Sequence, residues 1–212
     1  DGWTAAAGHW QASGDVYRQT DLRADCRSFA EPANWTDYVY EVKARKLGGA
    51  EGFLVLFRVK DRGRFYWWNL GGWGNASHAV ETRPQRIFDG RPGRIETGRW
   101  YQIKIIVQGP AIKCYLDGKL IHDIKEETYP AGGIGLGTWS TQAEYRDISV
   151  TTLDGRKLYG ADKMTLTAGA LKELGTSGDA LRREFDALRA AGAAPDDPRW
   201  TQLYEKAIQL AD

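Results

Sequence analysis

The chain has 212 residues, with 29 basic and 28 acidic side chains and a formal charge of +1, so it lacks the cationic excess that grips a phosphate backbone. No apolar run approaches the roughly 20 residues of a membrane span. Nucleic acid and membrane are therefore not expected as partners, and the length suits one large domain or one domain with an appendage.

Residues 1–157 read as all-β. Segments 15–19 and 38–45 alternate apolar and polar residues, the two-residue period of a half-buried strand. Residues 52–59 are instead continuously apolar, which predicts a strand buried on both faces. Segments 100–107 and 112–116 form a hairpin, and Asp117-Gly118 is a two-residue turn because both residues tolerate positive φ. Residues 120–124, 134–137 and 145–151 complete the series. About ten or more strands at this spacing predict a sandwich or barrel. Cys26 and Cys114 fall in or beside strands and read as small buried hydrophobes. Asn34-Trp35-Thr36 and Asn75-Ala76-Ser77 match a glycosylation sequon by chance.

Segment 65–78 is the richest in chemistry. Its fourteen residues hold three of the nine tryptophans, two asparagines, one histidine and three glycines. Tryptophan offers an apolar face, asparagine a paired donor and acceptor, and glycine a close backbone approach. A sugar needs that combination: C–H faces to stack and hydroxyls to hydrogen-bond. Trp67 and Trp68 must face opposite sides of a strand, with Asn69 on the Trp67 side. Trp73, Asn75 and His78 follow the Gly71-Gly72 bend as a ligand loop, and Glu81 follows at strand spacing on the face of His78. Glu51 opens the buried strand at a rim. Trp139 and Gln142 precede the last strand as a second wall. Trp100, at the start of a long strand, is expected in the core.

Beyond Asp154-Gly155 the composition turns helical. Leu181, Phe185 and Leu188 make one stripe, Gly192 stops that helix, and Asp197-Pro198 caps the next, which carries Trp200 and Leu203. A shorter helix is expected over 167–174. Residues 158–212 are thus a small helical appendage.

Residues 44–57, 66–81, 98–105, 112–123 and 133–147 resemble a module attached to bacterial family-51-type α-L-arabinofuranosidases. A more distant likeness is to the 3-keto-disaccharide hydrolase group. The resemblance covers residues 1–157. It implies a two-sheet antiparallel jelly roll of concanavalin type that binds a plant polysaccharide or oligosaccharide beside a catalytic domain, in a secreted or periplasmic setting. It implies no certain cofactor. Sandwiches of this kind often hold a structural calcium, for which Asp1, Asp25, Asp147 and Asp154 are scattered candidates. The start at Asp1, with no signal peptide, reads as a mature form or an excised domain.

Glycoside hydrolysis generally uses two carboxylates about 5–10 Å apart, and no alternating acidic run supplies them here. The leading expectation is therefore a non-catalytic carbohydrate-binding module for arabinose- or xylose-containing glycans. Its expected site comprises Glu51, Trp67, Trp68, Asn69, Trp73, Asn75, His78, Glu81, Trp139 and Gln142. One rival is a hydrolase or lyase using Glu51 and His78. The other is a structural sandwich that docks to a catalytic domain.

Overall fold

The computed structural model describes residues 2–160, 175–192, 197–200, 202, 203 and 206. Two compact units divide the chain, Asp1–Ala161 and Asp162–Asp212. The first unit is a pair of antiparallel sheets. The seven-stranded sheet runs, in spatial order, β1 (Trp3–Ala7), β4 (Cys26–Ala30), β13 (Gly133–Thr138), β6 (Phe53–Asp61), β7 (Arg64–Gly71), β8 (Ser77–Arg83) and β9 (Arg86–Pro92). The eight-stranded sheet runs β12 (Lys119–Lys125), β11 (Ala111–Leu116), β10 (Trp100–Gln108), β5 (Tyr38–Gly49), β14 (Thr141–Thr151), β3 (Val16–Gln19) and β2 (Trp10–Ser13), with β15 (Lys157–Tyr159) also paired to β14.

The alternating pattern of β5 sends Tyr38, Tyr40, Val42 and Ala44 into the core between the sheets. They meet Phe53, Val55 and Phe57 of β6, Tyr66 and Trp68 of β7, and Ile103 and Ile105 of β10. Strand β6 does not alternate because both of its sides are buried. Leu54 and Leu56 turn the other way and join Phe29, Phe65 and Trp67 in a second apolar cluster on the outer face of the seven-stranded sheet. Neighbouring β13 has glycine there. A Cβ at Gly135 would lie 3.0 Å from the Ser28 carbonyl and 3.2 Å from Leu56, so the bare backbone makes room for that cluster.

The hairpin of β10 and β11 pairs Gln108 with Ala111, and the next turn has Asp117 at φ 48° and Gly118 at φ 79°. Strands β1, β2 and β9 escape the sequence pattern because they lie at sheet edges with no side chain fully buried on either face, which leaves no burial-driven alternation. Strand β15 extends the sheet to Tyr159. Trp100 is not in the core. It lies on the outer face of the eight-stranded sheet, with the guanidiniums of Arg45 and Arg146 4.7 and 4.3 Å from its ring. Both cysteines are free and buried.

In the second unit a helix spans Gly175–Ala190, with Leu181, Leu188 and Leu203 buried. Phe185 meets Trp200 edge-on at 4.9 Å. Gly192, at φ 66°, follows the helix and donates its N–H to Arg189 O. Asp197 Oδ1 accepts the Arg199 N–H at 3.0 Å. The helix expected over 167–174 lies outside the described residues. Among the described residues no helix is long and apolar enough to cross a membrane.

Candidate functional site

Alternation along β7 and β8 sorts the expected residues onto two faces. Register pairs Trp67 with Glu81, Trp68 with Val80, Asn69 with Ala79 and Leu70 with His78. Trp67, Asn69 and Glu81 therefore share the outer face of the seven-stranded sheet, while Trp68 and His78 turn toward the other sheet.

Glu81 is the centre of the outer-face cluster. It is 1% exposed, and its two carboxylate oxygens accept hydrogen bonds from Asn69 Nδ2 at 3.1 Å and Gln85 Nε2 at 3.0 Å. Among the described residues it has no cationic partner within salt-bridge distance. A carboxylate buried on amides alone is costly compared with one left in water. Its register neighbour Trp67 carries the Arg83 guanidinium 5.2 Å from its ring and meets Trp139 edge-on at 6.4 Å. The indole Nε1 of Trp67 is buried with no acceptor among the described residues.

A cationic frame borders this apolar floor. Asp25 bridges two arginines, its Oδ1 lying 2.8 Å from Arg27 Nε and its Oδ2 3.1 Å from Arg83 Nη2. The Arg27 guanidinium in turn lies 5.4 Å from the Phe65 ring. Asp25 holds a left-handed backbone at φ 57°, a conformation for which aspartate is among the more tolerant residues.

The other border is the turn Gly72–Asn75, where Trp73 and Gly74 both have left-handed φ and ψ. Trp73, at φ 52°, is 47% exposed. A bulky residue held at positive φ with its ring in solvent is strained, and such strain concentrates at functional sites. Three contacts hold the turn. Glu51 Oε1 accepts the Gly74 N–H at 3.2 Å, and Asn75 is bonded through both side-chain atoms to the Ile95 backbone. Gly72 lies so close to Asn69 that a Cβ would come within 2.5 Å of its amide nitrogen. The turn thus abuts the face that carries Asn69 and Glu81.

Four expected residues take other roles. Trp68 is fully buried in the core and offers no face to a ligand. Asn75 spends its amide on the Ile95 backbone. Gln142 lies on the eight-stranded sheet and donates to Thr20 O at 2.7 Å. His78 does not share the face of Glu81, because residues three apart on a strand point to opposite sides. It is 4% exposed, and its Nδ1 accepts the Gly71 N–H at 3.0 Å. Burial, with a smaller repulsion from His122, pushes its pKa down to about 4. His78 and Glu51 are each bonded to a different backbone amide, and neither to the other.

The sequence reading did not bring Arg27, Arg83 or Gln85 to this face, and it named Asp25 only as a calcium candidate. Arg83 was within reach, since it lies two residues beyond Glu81 and so on the same face. The others depend on β4 and on the β8–β9 turn being brought alongside, which no local pattern encodes. Asp25 and Asp147, considered for calcium, bind arginine and lysine side chains instead, and Asp154 is bonded to Thr152. Among the described residues no three His, Cys, Asp or Glu groups converge as a metal site.

An extracellular exo-α-L-arabinofuranosidase of Streptomyces chartreusis is 46% identical over 125 residues, 55% of this chain but 15% of that enzyme. A levanase of Bacillus subtilis is 25% identical over 158 residues, 70% of this chain and 22% of that protein. The chain thus spans less than a quarter of these curated relatives. Among solved structures, the carbohydrate-binding module CBM66 from Bacillus subtilis superposes with a TM-score of 0.65 at 20% identity, covering 71% of this chain and 96% of that one. That likeness establishes the shared jelly-roll fold. The model of the 3-keto-alpha-glucoside-1,2-lyase-like domain matches residues 1–151, and the chain belongs to that family.

Proposed function

We propose that this domain is a non-catalytic carbohydrate-binding module of a secreted polysaccharide-degrading enzyme, taking arabinose- or xylose-containing plant glycans on the outer face of its seven-stranded sheet. The observation that carries the reading is Glu81, a buried carboxylate held by two amides at the floor of an aromatic cluster. Sugar hydroxyls donate to a carboxylate oxygen and accept from amide and indole N–H groups. Trp73 supplies the exposed stacking face, and Trp139 a partly exposed second one. Trp67 lies deeper, under the Arg83 guanidinium. Buried there, it forms the floor on which Glu81 and the exposed rings are held rather than a stacking face of its own.

The arabinofuranosidase relative supports an arabinose-containing ligand. The levanase relative supports a second reading, a fructan, on the same groups. The site favours recognition over turnover because both oxygens of its buried carboxylate are held by amides, and because His78 and Glu51 are each bonded to a different backbone amide. Affinity electrophoresis over arabinan, arabinoxylan, xylan and levan tests the reading. Retardation by an arabinose- or xylose-containing polymer is expected, lost in Glu81→Gln and reduced in Trp73→Ala. Retardation by levan alone selects the fructan reading. Release of reducing sugar by the wild type, abolished in Glu51→Gln while binding persists, overturns the non-catalytic assignment.

A further inference from the structure

The opposite face of the sandwich carries a second cleft. On the outer side of the eight-stranded sheet, Glu41, Lys104 and Tyr115 form one row across β5, β10 and β11, because Lys104 is in register with both neighbours. Gln102 and Ile106 flank Lys104 two residues away on β10. These side chains and Gly118 line a cavity of about 420 Å³, a volume in the range of small-molecule sites.

Its chemistry defines the ligand. Lys104 Nζ lies 3.5 Å from Glu41 Oε1, so the charged pair cancels and the cleft attracts neither anion nor cation strongly. Tyr115 and Ile106 give an aromatic and an aliphatic surface side by side. Gln102 is exposed and Tyr115 half-buried, so the amide and the hydroxyl are open to whatever enters the cleft. An aromatic face, an aliphatic shoulder, an accessible amide and an already neutralised ion pair suit a neutral polyhydroxylated ring. All five side chains stand on strands, which fixes their spacing more firmly than loops would.

We infer that this cleft is a second glycan-binding site, for one or two neutral sugar residues, on the face opposite Glu81. The inference rests on the carbohydrate-binding reading above and adds a consequence. The two outer faces are separated by the thickness of the sandwich, with sheets about 10 Å apart. One sugar cannot touch both, so the domain is bivalent. On a polymer, two weak sites act with an avidity well beyond either alone.

The test is a heteronuclear NMR titration of the whole chain with α-1,5-arabinotriose, xylotriose and a levan-derived trisaccharide, following the two faces separately. The expected result is saturable shifts at Gln102, Lys104 and Tyr115 with one of these sugars, in addition to shifts at Trp73 and Glu81. Tyr115→Ala should weaken the cleft's binding at least tenfold and leave the Trp73 face unchanged. Glu81→Gln should do the reverse. Shifts confined to the Trp73 face overturn the second site and leave the first standing. Shifts at the cleft that glycerol reproduces at equal concentration, or that persist in Tyr115→Ala, overturn it as well. Silence at both faces overturns both readings.

Discussion

The two outer faces of the sandwich solve the same problem in opposite ways. The eight-stranded sheet carries a lattice of ion pairs: Glu144, itself buried, pairs with the partly exposed Arg18 and Arg45, and Lys43 with Asp147, Lys113 with Asp123 and Lys104 with Glu41 nearer solvent. The seven-stranded sheet turns out Leu54, Leu56, Phe65 and Trp67, frames them with arginines, and buries a carboxylate among amides. A face that served only to be wet would not need a second apolar cluster. The contrast shows where the molecule departs from an ordinary water-facing surface, and so where a ligand is expected first. The cleft at Tyr115 is a smaller departure on the charged side.

Neighbouring tryptophans sharpen that contrast most. Trp68→Ala empties the core between the sheets and should cost about 3–5 kcal/mol. Trp67→Ala removes an outer-face ring that is also well packed, so some stability is lost there too. The distinguishing readout is glycan affinity measured at a temperature where both variants remain folded. It should fall in Trp67→Ala and be retained in Trp68→Ala. Equal affinity in the two variants would break the assignment of faces.

His78 gives the next largest effect. Its folded-state pKa, about 4, is below the ordinary 6.5. The unfolded chain therefore binds the extra proton more readily. Stability from this group is fully present above pH 6.5 and is lost as pH falls from 6.5 through 4. At about 1.4 kcal/mol per pKa unit the loss amounts to roughly 3 kcal/mol. Urea unfolding at pH 7.5, 6 and 4.5 should show it, and His78→Asn, less stable at pH 7.5, should show a shallower dependence. An unchanged pH profile in that variant would remove His78 as the source.

Glu144 on the charged face should matter less. Burial by itself would raise its carboxyl pKa, but hydrogen bonds from Arg45 and Arg18 outweigh burial and hold it below the usual carboxylate value. Glu144→Gln should cost about 1–2 kcal/mol, discounted because both arginines are partly exposed. That stability is present above the ordinary glutamate range and disappears as pH falls through the lowered pKa. Glycan binding on the opposite face should be untouched. Weaker binding in Glu144→Gln would mean that the two faces are not independent.

Much of this fold was legible because its central strands announce themselves. The alternation of β5 and β10, the unbroken apolar run of β6 and the Asp117-Gly118 turn each encode one local answer. The opposed directions of Trp67 and Trp68 follow from strand geometry alone. The composition of 65–78 marked a segment dense in polar and aromatic groups but not how those groups divide between the two faces of the sheet. His78 and Asn75 look like ligand groups in sequence and prove to be braces for the Gly71–Asn75 bend. Gln142 adjoins Trp139 in sequence but belongs to the other sheet. The Asp25–Arg27–Arg83 frame joins the start of β4 to the end of β8, strands that β13, β6 and β7 separate in the sheet. Long-range register of that kind has no signature in any single segment.

The mildest perturbation concerns the exposed rim. Trp73 stands at positive φ with nearly half its surface in solvent, so its ring contributes little to packing. Trp73→Ala should leave stability within about 0.5 kcal/mol, the usual range for a surface position. Trp73→Gly should raise stability slightly, because glycine adopts that backbone without strain. Binding should move differently. If the ring is a stacking platform, both variants should lose about tenfold in affinity, roughly 1.4 kcal/mol, measured by isothermal titration with the glycan that retards the wild type. Glu51→Gln keeps an oxygen for the Gly74 N–H, so the turn should persist and affinity should fall less than in Trp73→Ala. If Trp73→Gly binds as well as the wild type, the strained turn is not a platform, and recognition rests on Trp139 and the Glu81 floor.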